Sequence, residues 1–283
     1  MSVYYAWGGA ERDDRPEKPR RCGVTEMSGP QYTLLCKDVL QDIFVSAGDF
    51  VDGLKFSGGS HSLMPKSFIK EVIDMAHQHD IYVSTGDWAE HLLNRGPSAF
   101  KEYLEECKTL GFDTVELNAW SLKIPEETLL RYVRLIKNCG LKAKPQIAMK
   151  FLKSEIPVGS SRAFVPAVPR SSELVEDASL MIRMAERCLE AGADMIMIDA
   201  DDLSNDANCI RADVIAKIVS RLGLEKTMFE TSNARISEWF IRSYGPKVNL
   251  FVDYSQVTSL ECLRGCNFGK RNVSALGSSY FMS

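Results

Sequence analysis

No apolar run in this 283-residue chain approaches the roughly 18 residues that a membrane-spanning helix needs. A basic excess is missing as well: 34 Lys and Arg face 38 Asp and Glu, a net charge of −4. Composition therefore supplies no broad positive field for nucleic acid or an anionic membrane. The first residues, MSVYYAWGGAERDDRPEKPRR, are dense in charge and lack the apolar core of a secretory signal. A cytoplasmic protein with no nucleic-acid and no membrane partner is the expectation. No G-x-G-x-x-G follows the first apolar run, so the fingerprint of a dinucleotide-binding sheet is absent. The eight cysteines are irregularly spaced, which favours reduced thiols over a disulfide framework. Cys262 and Cys266 stand closest, at helical i, i+4 spacing, but lack further Cys or His nearby to complete a zinc site. They read as thiols on one helix face.

What the chain does have is a repeated pattern and, at 45% hydrophobic content, ample material for a core. An amphipathic stretch ends at a glycine or polar break, and four or five apolar residues follow that stop at a polar one. ECKTLGFDTVEL, LIKNCGLKAKPQI, CLEAGADMIMID and VSRLGLEKTMFE all have this form. Each glycine sits where a helix can end in left-handed geometry, and each run after it reads as a buried parallel strand. Strands are expected at Gly23–Met27, Val51–Phe56, Ile81–Ser84, Thr114–Leu117, Ala143–Ile147, Met195–Asp199, Thr227–Glu230 and Val248–Phe251. Helices are expected between them, at Tyr32–Val45, Pro65–His77, Pro97–Leu110, Pro125–Asn138, Glu173–Ala191, Ala212–Leu222 and Arg235–Tyr244, with prolines 65, 97 and 125 in first turns. Eight strands alternating with helices define an α/β protein, a single (β/α)8 TIM-type barrel. Residues 1–20 read as a polar N-terminal extension, 21–268 as the barrel and 269–283 as a tail. The Ser/Pro-rich stretch from Leu152 to Glu173 is long enough to be either a functional lid or a plain connection.

Barrel enzymes carry their chemistry at the carboxyl ends of the strands. The residues at which the apolar runs stop here are Lys55, Asp87, Glu116, Lys150, Asp199, Asp201, Asp202, Glu230 and Asp253. Acids with two lysines could hold a divalent cation and an anionic substrate together. The same acids could equally form a strand-to-loop transition at DADDLSND, or ion pairs with the lysines at Glu116 and Glu230. The SGGS after Lys55 offers either backbone N–H groups to a phosphate or a flexible turn. His77 and His79 fall at a helix end on the opposite side of the barrel, where they suit the helix C-terminus better than a metal. His61 and His91 fall near the rim.

Four segments, VDGLKFSGGSHSL, GFDTVELNAWSLKIPEE, LEAGADMIMIDADD and YGPKVNLFVDYSQVTSLECLRG, resemble in order and spacing the phosphosulfolactate synthase family. EKPRRCGVTEM, DGLKFSGGS, VSTGDWAEH and ERCLEAGAD are closer still to its plant, heat-stress-associated branch, which is linked with acquired thermotolerance. The resemblance implies a (β/α)8 barrel and, for the enzymes, magnesium-dependent addition of sulfite to phosphoenolpyruvate. By it Lys55, Glu116, Lys150 and Glu230 match catalytic positions, and Glu116, Asp199 and Asp202 are the metal ligands it points to. Asp201 stands where the enzymes have an arginine, and Trp120 and Phe251 where they have glycines.

Two functions follow from that pattern. One is a heat-stress protein on an enzyme scaffold, without phosphosulfolactate synthase turnover, acting through its surface or a partner such as a disaggregase chaperone. The other is a magnesium-dependent lyase or synthase that adds sulfite or a related nucleophile to phosphoenolpyruvate, which requires the strand-end side chains to converge. Archaeal relatives form multimers, so a homo-oligomer is a further expectation.

Overall fold

A computed structural model describes residues 15–29, 36–86, 88–118, 125–147, 171–200, 210–231 and 233–265. The strands are β1 (Thr25–Ser28), β2 (Gly53–Lys55), β3 (Tyr82–Ser84), β4 (Thr114–Asn118), β5 (Lys142–Ile147), β6 (Ile196–Asp199), β7 (Thr227–Glu230) and β8 (Asn249–Asp253). They pair in parallel in chain order, and β8 closes on β1. The helices are α1 (Lys37–Ala47), α2 (Lys66–Gln78), α3 (Pro97–Leu110) and α4 (Glu126–Asn138), then α5 (Ser171–Glu190), α6 (Ala212–Leu222), α7 (Ala234–Tyr244) and α8 (Val257–Gly265). This is the (β/α)8 barrel expected from the repeats.

The sequence reading places all eight strands, with ends that move by one or two residues. Pro97 opens α3 as expected, whereas Pro65 and Pro125 stand one residue before their helices, in extended backbone. α8 had only the Cys262–Cys266 spacing to announce it; Cys262 is exposed on that helix, and Cys266 lies outside the described residues. Cys22, Cys36, Cys107, Cys139, Cys188 and Cys262 are all free thiols.

Side chains alternate across each strand, so every strand feeds two cores. The outward face packs on the helices: Val83, Val115, Ile198, Phe229 and Leu250 meet Ile73, Leu104, Ile218 and Phe240 in one continuous apolar layer. Phe229 stacks on Phe240 with ring centroids 4.4 Å apart. The inward face is different. Val24, Met197, Met228 and Phe251 make a small separate apolar cluster, and the remaining lumen positions are largely polar or charged. Gly53 belongs to this interior by necessity, because a Cβ there would lie 2.4 Å from Cζ of Tyr82, whose ring crosses the floor of β2.

Residues 15–20, on the N-terminal side of the boundary drawn from composition, lie across the base of the barrel. Arg15 donates to Gly23 O (2.9 Å), Thr25 Oγ1 (3.0 Å), Phe50 O (2.9 Å) and Asp52 (3.1 Å), and pairs with Glu261 of α8. Arg20 reaches the second oxygen of Asp52 at 2.8 Å. Beneath them Arg264 is fully buried, donating to the carbonyls of Pro246 and Val24. Burial lowers its pKa to about 9. One guanidinium, that of Arg15, thus ties the entry to β1, the entry to β2 and the last helix together at the seam where the barrel closes. His77 and His79 lie on the same side, at the end of α2, where His77 is 2.9 Å from Asp113.

Candidate functional site at the carboxyl ends of the strands

The lumen holds a chain of charges. Glu26 of β1 receives Lys144 of β5 at 2.5 and 2.7 Å and the Tyr82 hydroxyl at 2.6 Å. Lys144 also lies 3.1 Å from Glu116 Oε2, and the other oxygen of Glu116 lies 2.7 Å from Lys55. Lys55 is 3.9 Å from Glu230 at the rim. Register explains the encounter: Glu116 pairs with Lys144 on neighbouring strands, and Ser28, Lys55 and Ser84 stand at one level on β1, β2 and β3.

Burial disfavours both charged forms here, and proximity reverses it. Lys55 is held above the usual lysine range because Glu116, Glu230 and Glu26 outweigh its desolvation. Desolvation pushes the Glu116 carboxyl up, but Lys55 and Lys144 overcome that and set it below the ordinary value. Tyr82 is raised well above 10.0 by burial and by Glu26, so it remains a hydrogen-bond donor. Lys55 and Glu116 are therefore both charged at neutral pH, in an interior where each charge needs its partner.

Above this chain the rim is acidic. Asp199 and Glu230 are register partners on β6 and β7, and both are half-buried. Gln146 of β5 donates to Glu230 at 3.1 Å, while its own carbonyl oxygen is buried without a hydrogen-bond partner among the described residues. Asp253 accepts from Ser28 at 3.2 Å and from the backbone of Ser255 at 3.0 Å. The Phe251 ring lies over the Lys55 ammonium, with Nζ 4.1 Å from its centroid.

Of the residues singled out from the sequence, Lys55, Glu116 and Glu230 come together, and Asp199 stands beside Glu230. Lys150, Asp201, Asp202, Asp87 and Trp120 lie outside the described residues. Both carboxylate oxygens of Glu116 face ammonium groups, so in this pairing it does not suit a metal; the rim oxygens of Asp199, Glu230 and Gln146 are of the type a hard cation takes. Among the described residues no three His, Cys, Asp or Glu side chains group to hold a metal ion. Glu26, Tyr82, Lys144 and Gln146 were missed as members of the site. A charge in mid-strand, as in TEMS and KAKPQI, is the signal that could have found the first and third, since only a lumen or a partner makes it tolerable.

The SGGS turn proves to be packed. Ser57–Leu63 form 3-10 turns with Gly58 and Gly59 at positive φ, and a Cβ on Gly59 would meet Trp88 at 2.0 Å. His61, from the same turn, is buried among Phe56, Trp88 and Phe112, with Nε2 3.2 Å from the Tyr103 hydroxyl. Burial lowers its pKa to about 4, with Glu106 opposing.

A closed parallel barrel with lysines and acids converging at the strand ends defines the class: a (β/α)8 barrel protein. Comparison makes the assignment finer. Residues 13–269 match the (2R)-phospho-3-sulfolactate synthase (ComA) family, and the chain belongs to it. It is 66% identical, over the whole length of both chains, to Protein HEAT-STRESS-ASSOCIATED 32 of Arabidopsis thaliana. Against a phosphosulfolactate synthase of Methanothermobacter thermautotrophicus identity is 24%, covering 92% of this chain and 96% of the relative. Among solved structures, 3-hexulose-6-phosphate synthase of Salmonella typhimurium shares the fold, with a TM-score of 0.52 at 12% identity, covering 85% of this chain and 97% of that one. No helix among the described residues is long and apolar enough to cross a membrane.

Proposed function

We propose that this chain serves in heat-stress tolerance as a member of the synthase family that does not add sulfite to phosphoenolpyruvate. Its likeness to the heat-stress-associated relative is far stronger than to the synthases. The observation that carries the reading is the state of Lys55, the lysine that the family pattern assigns to the site. It is already 2.7 Å from Glu116, has Glu230 at 3.9 Å and is covered by Phe251. A dianion approaching it meets occupied space and two carboxylates, where phosphate and sulfite both need positive charge or clustered N–H donors. The same reading places the protein in the cytoplasm, acting through its surface on a partner such as a disaggregase chaperone, as a monomer or homo-oligomer.

The test is an incubation of the purified protein with sulfite, phosphoenolpyruvate and magnesium, followed by phosphorus NMR. No phosphosulfolactate is expected, and a product peak that grows with enzyme concentration overturns the reading. In parallel, a Lys55→Met variant that folds should protect heat-treated Arabidopsis lacking its own relative as well as the parent chain does.

A second reading has one observation in its favour. Lys55, Glu116 and Glu230 do converge, as a magnesium-dependent lyase would require. Magnesium would then sit on the rim carboxylates, with Lys55 steering an anion. The same incubation decides between the two.

A further inference from the structure

Phe251 points into the lumen from β8, at the level of Glu26 on one side and Glu230 on the other. Its ring rests on Val24, Met197 and Met228 and is buried. From there it reaches across β1 to Lys55. The Lys55 ammonium has three hydrogens to place. Glu116 forms an ion pair with it at 2.7 Å, Glu230 at 3.9 Å is too distant for a hydrogen bond, and the ring face covers another side. An aromatic face attracts a cation but is a weaker partner than an anionic oxygen at contact distance.

Among the described residues Lys55 has one acid at close contact. Glu116 divides its two oxygens between Lys55 and Lys144, and Lys144 is also held by Glu26. The run Glu26, Lys144, Glu116, Lys55 alternates acids with lysines and ends at Lys55, with Glu230 a further acid 3.9 Å from it. What keeps an anion away is first of all space. An oxygen about 2.8 Å from Nζ and about 3.5 Å from the ring carbons needs a gap of roughly 6 Å, and the ring centroid lies at 4.1 Å.

We propose that Phe251 is the specificity-determining residue of the mouth: its ring stands where a small phosphate-type dianion would otherwise pair with Lys55, and so closes an anion subsite from within. The inference rests on the reading above that the parent chain is inert toward phosphoenolpyruvate. It adds that the subsite is closed by one side chain rather than dismantled. Lys55 and its buried supports are still in place beneath the ring.

The experiment uses the full-length protein and two shortened side chains, Phe251→Ala and the milder Phe251→Leu, which keeps apolar contact with the lumen methionines. Inorganic phosphate, phosphoenolpyruvate and benzene are the probes, read by thermal shift and by titration calorimetry. The parent chain should show no saturable phosphate binding. Both variants should melt lower and regain several degrees with millimolar phosphate or phosphoenolpyruvate, and adding Lys55→Met should abolish that gain. Stabilisation by benzene without any by phosphate would make Phe251 a core residue only and overturn the proposal. Saturable phosphate binding by the parent chain that is lost with Lys55→Met would overturn it too. Should neither variant fold, the parent chain still decides: its Lys55 ε-methylene protons should be ring-shifted and unmoved by phosphate, and a phosphate-driven loss of that shift refutes the closure. Turnover by the parent chain would refute the proposed function itself, whereas inert parent and inert variants, none of them binding phosphate, would refute this inference alone.

Discussion

Lys144 lies 3.1 Å from Glu116 Oε2, so one carboxylate in the barrel lumen is shared by two lysines. Neither lysine has that acid to itself. Lys144 turns also to Glu26, and Lys55 turns to the rim. The consequence is a coupled interior, in which changing any member alters the charge balance of the next.

Glu116→Gln should be the most damaging single change in the lumen. It leaves Lys55 and Lys144 facing a neutral amide at full burial, and removing one partner of a buried pair costs about 3–5 kcal/mol. Urea unfolding measures it. Adding Lys55→Met should recover part of the loss, because Lys144 keeps Glu26 and Lys55 is the cation left without a close partner; a double variant as unstable as the sum of the singles would contradict the coupling.

The response to acid should come in two stages. His61 titrates at about 4 in the fold, against 6.5 for the unfolded chain, because burial disfavours its charge. Its pKa is depressed, so the unfolded chain binds the extra proton first. Stability should fall by about 3 kcal/mol as the pH drops from about 6.5 to about 4. His61→Phe should flatten that part of the curve, as followed by denaturant midpoints. Glu116, also depressed, contributes stability that is complete above the ordinary carboxylate range and lost at lower pH, as pH falls through its folded value.

Arg15→Ala should loosen the seam of the barrel. The side chain holds two carbonyls, a hydroxyl and two carboxylates on separate elements, and charge-assisted bonds contribute about 1.5–3 kcal/mol each when partners are otherwise unmet. A loss of at least about 3 kcal/mol is expected, with hydrogen exchange accelerated first in β1 and α8. Uniform acceleration over the whole barrel would argue against a local latch.

Two glycines with similar backbone strain should behave differently. At Gly58 (φ +61°) an added Cβ would have nothing within 4 Å, while at Gly86 (φ +69°) it would lie 2.2 Å from the Phe56 carbonyl oxygen. Gly58→Ala should cost about 1–2 kcal/mol from the left-handed backbone alone. Gly86→Ala must also displace backbone, and soluble yield together with melting temperature should fall much further.

The architecture was legible because its signals are local. A glycine such as Gly111 or Gly192 ends a helix at positive φ, and the apolar run after it starts the next strand. Eight such units of β/α type leave few alternatives to a closed barrel. Lys55, Glu116 and Glu230 were legible for the same reason: each sits at or near the end of an apolar run, where barrel chemistry collects.

What the amino-acid order alone determined was the set of strands, their sequence and the polar residues at their tips. Which side chains meet was decided only in three dimensions. Glu26 and Lys144 are separated by 118 residues, and Phe251 covers a lysine two strands away. Such contacts depend on the stagger at which the barrel closes and on how far each side chain reaches across the lumen, and neither leaves a periodic trace in the chain.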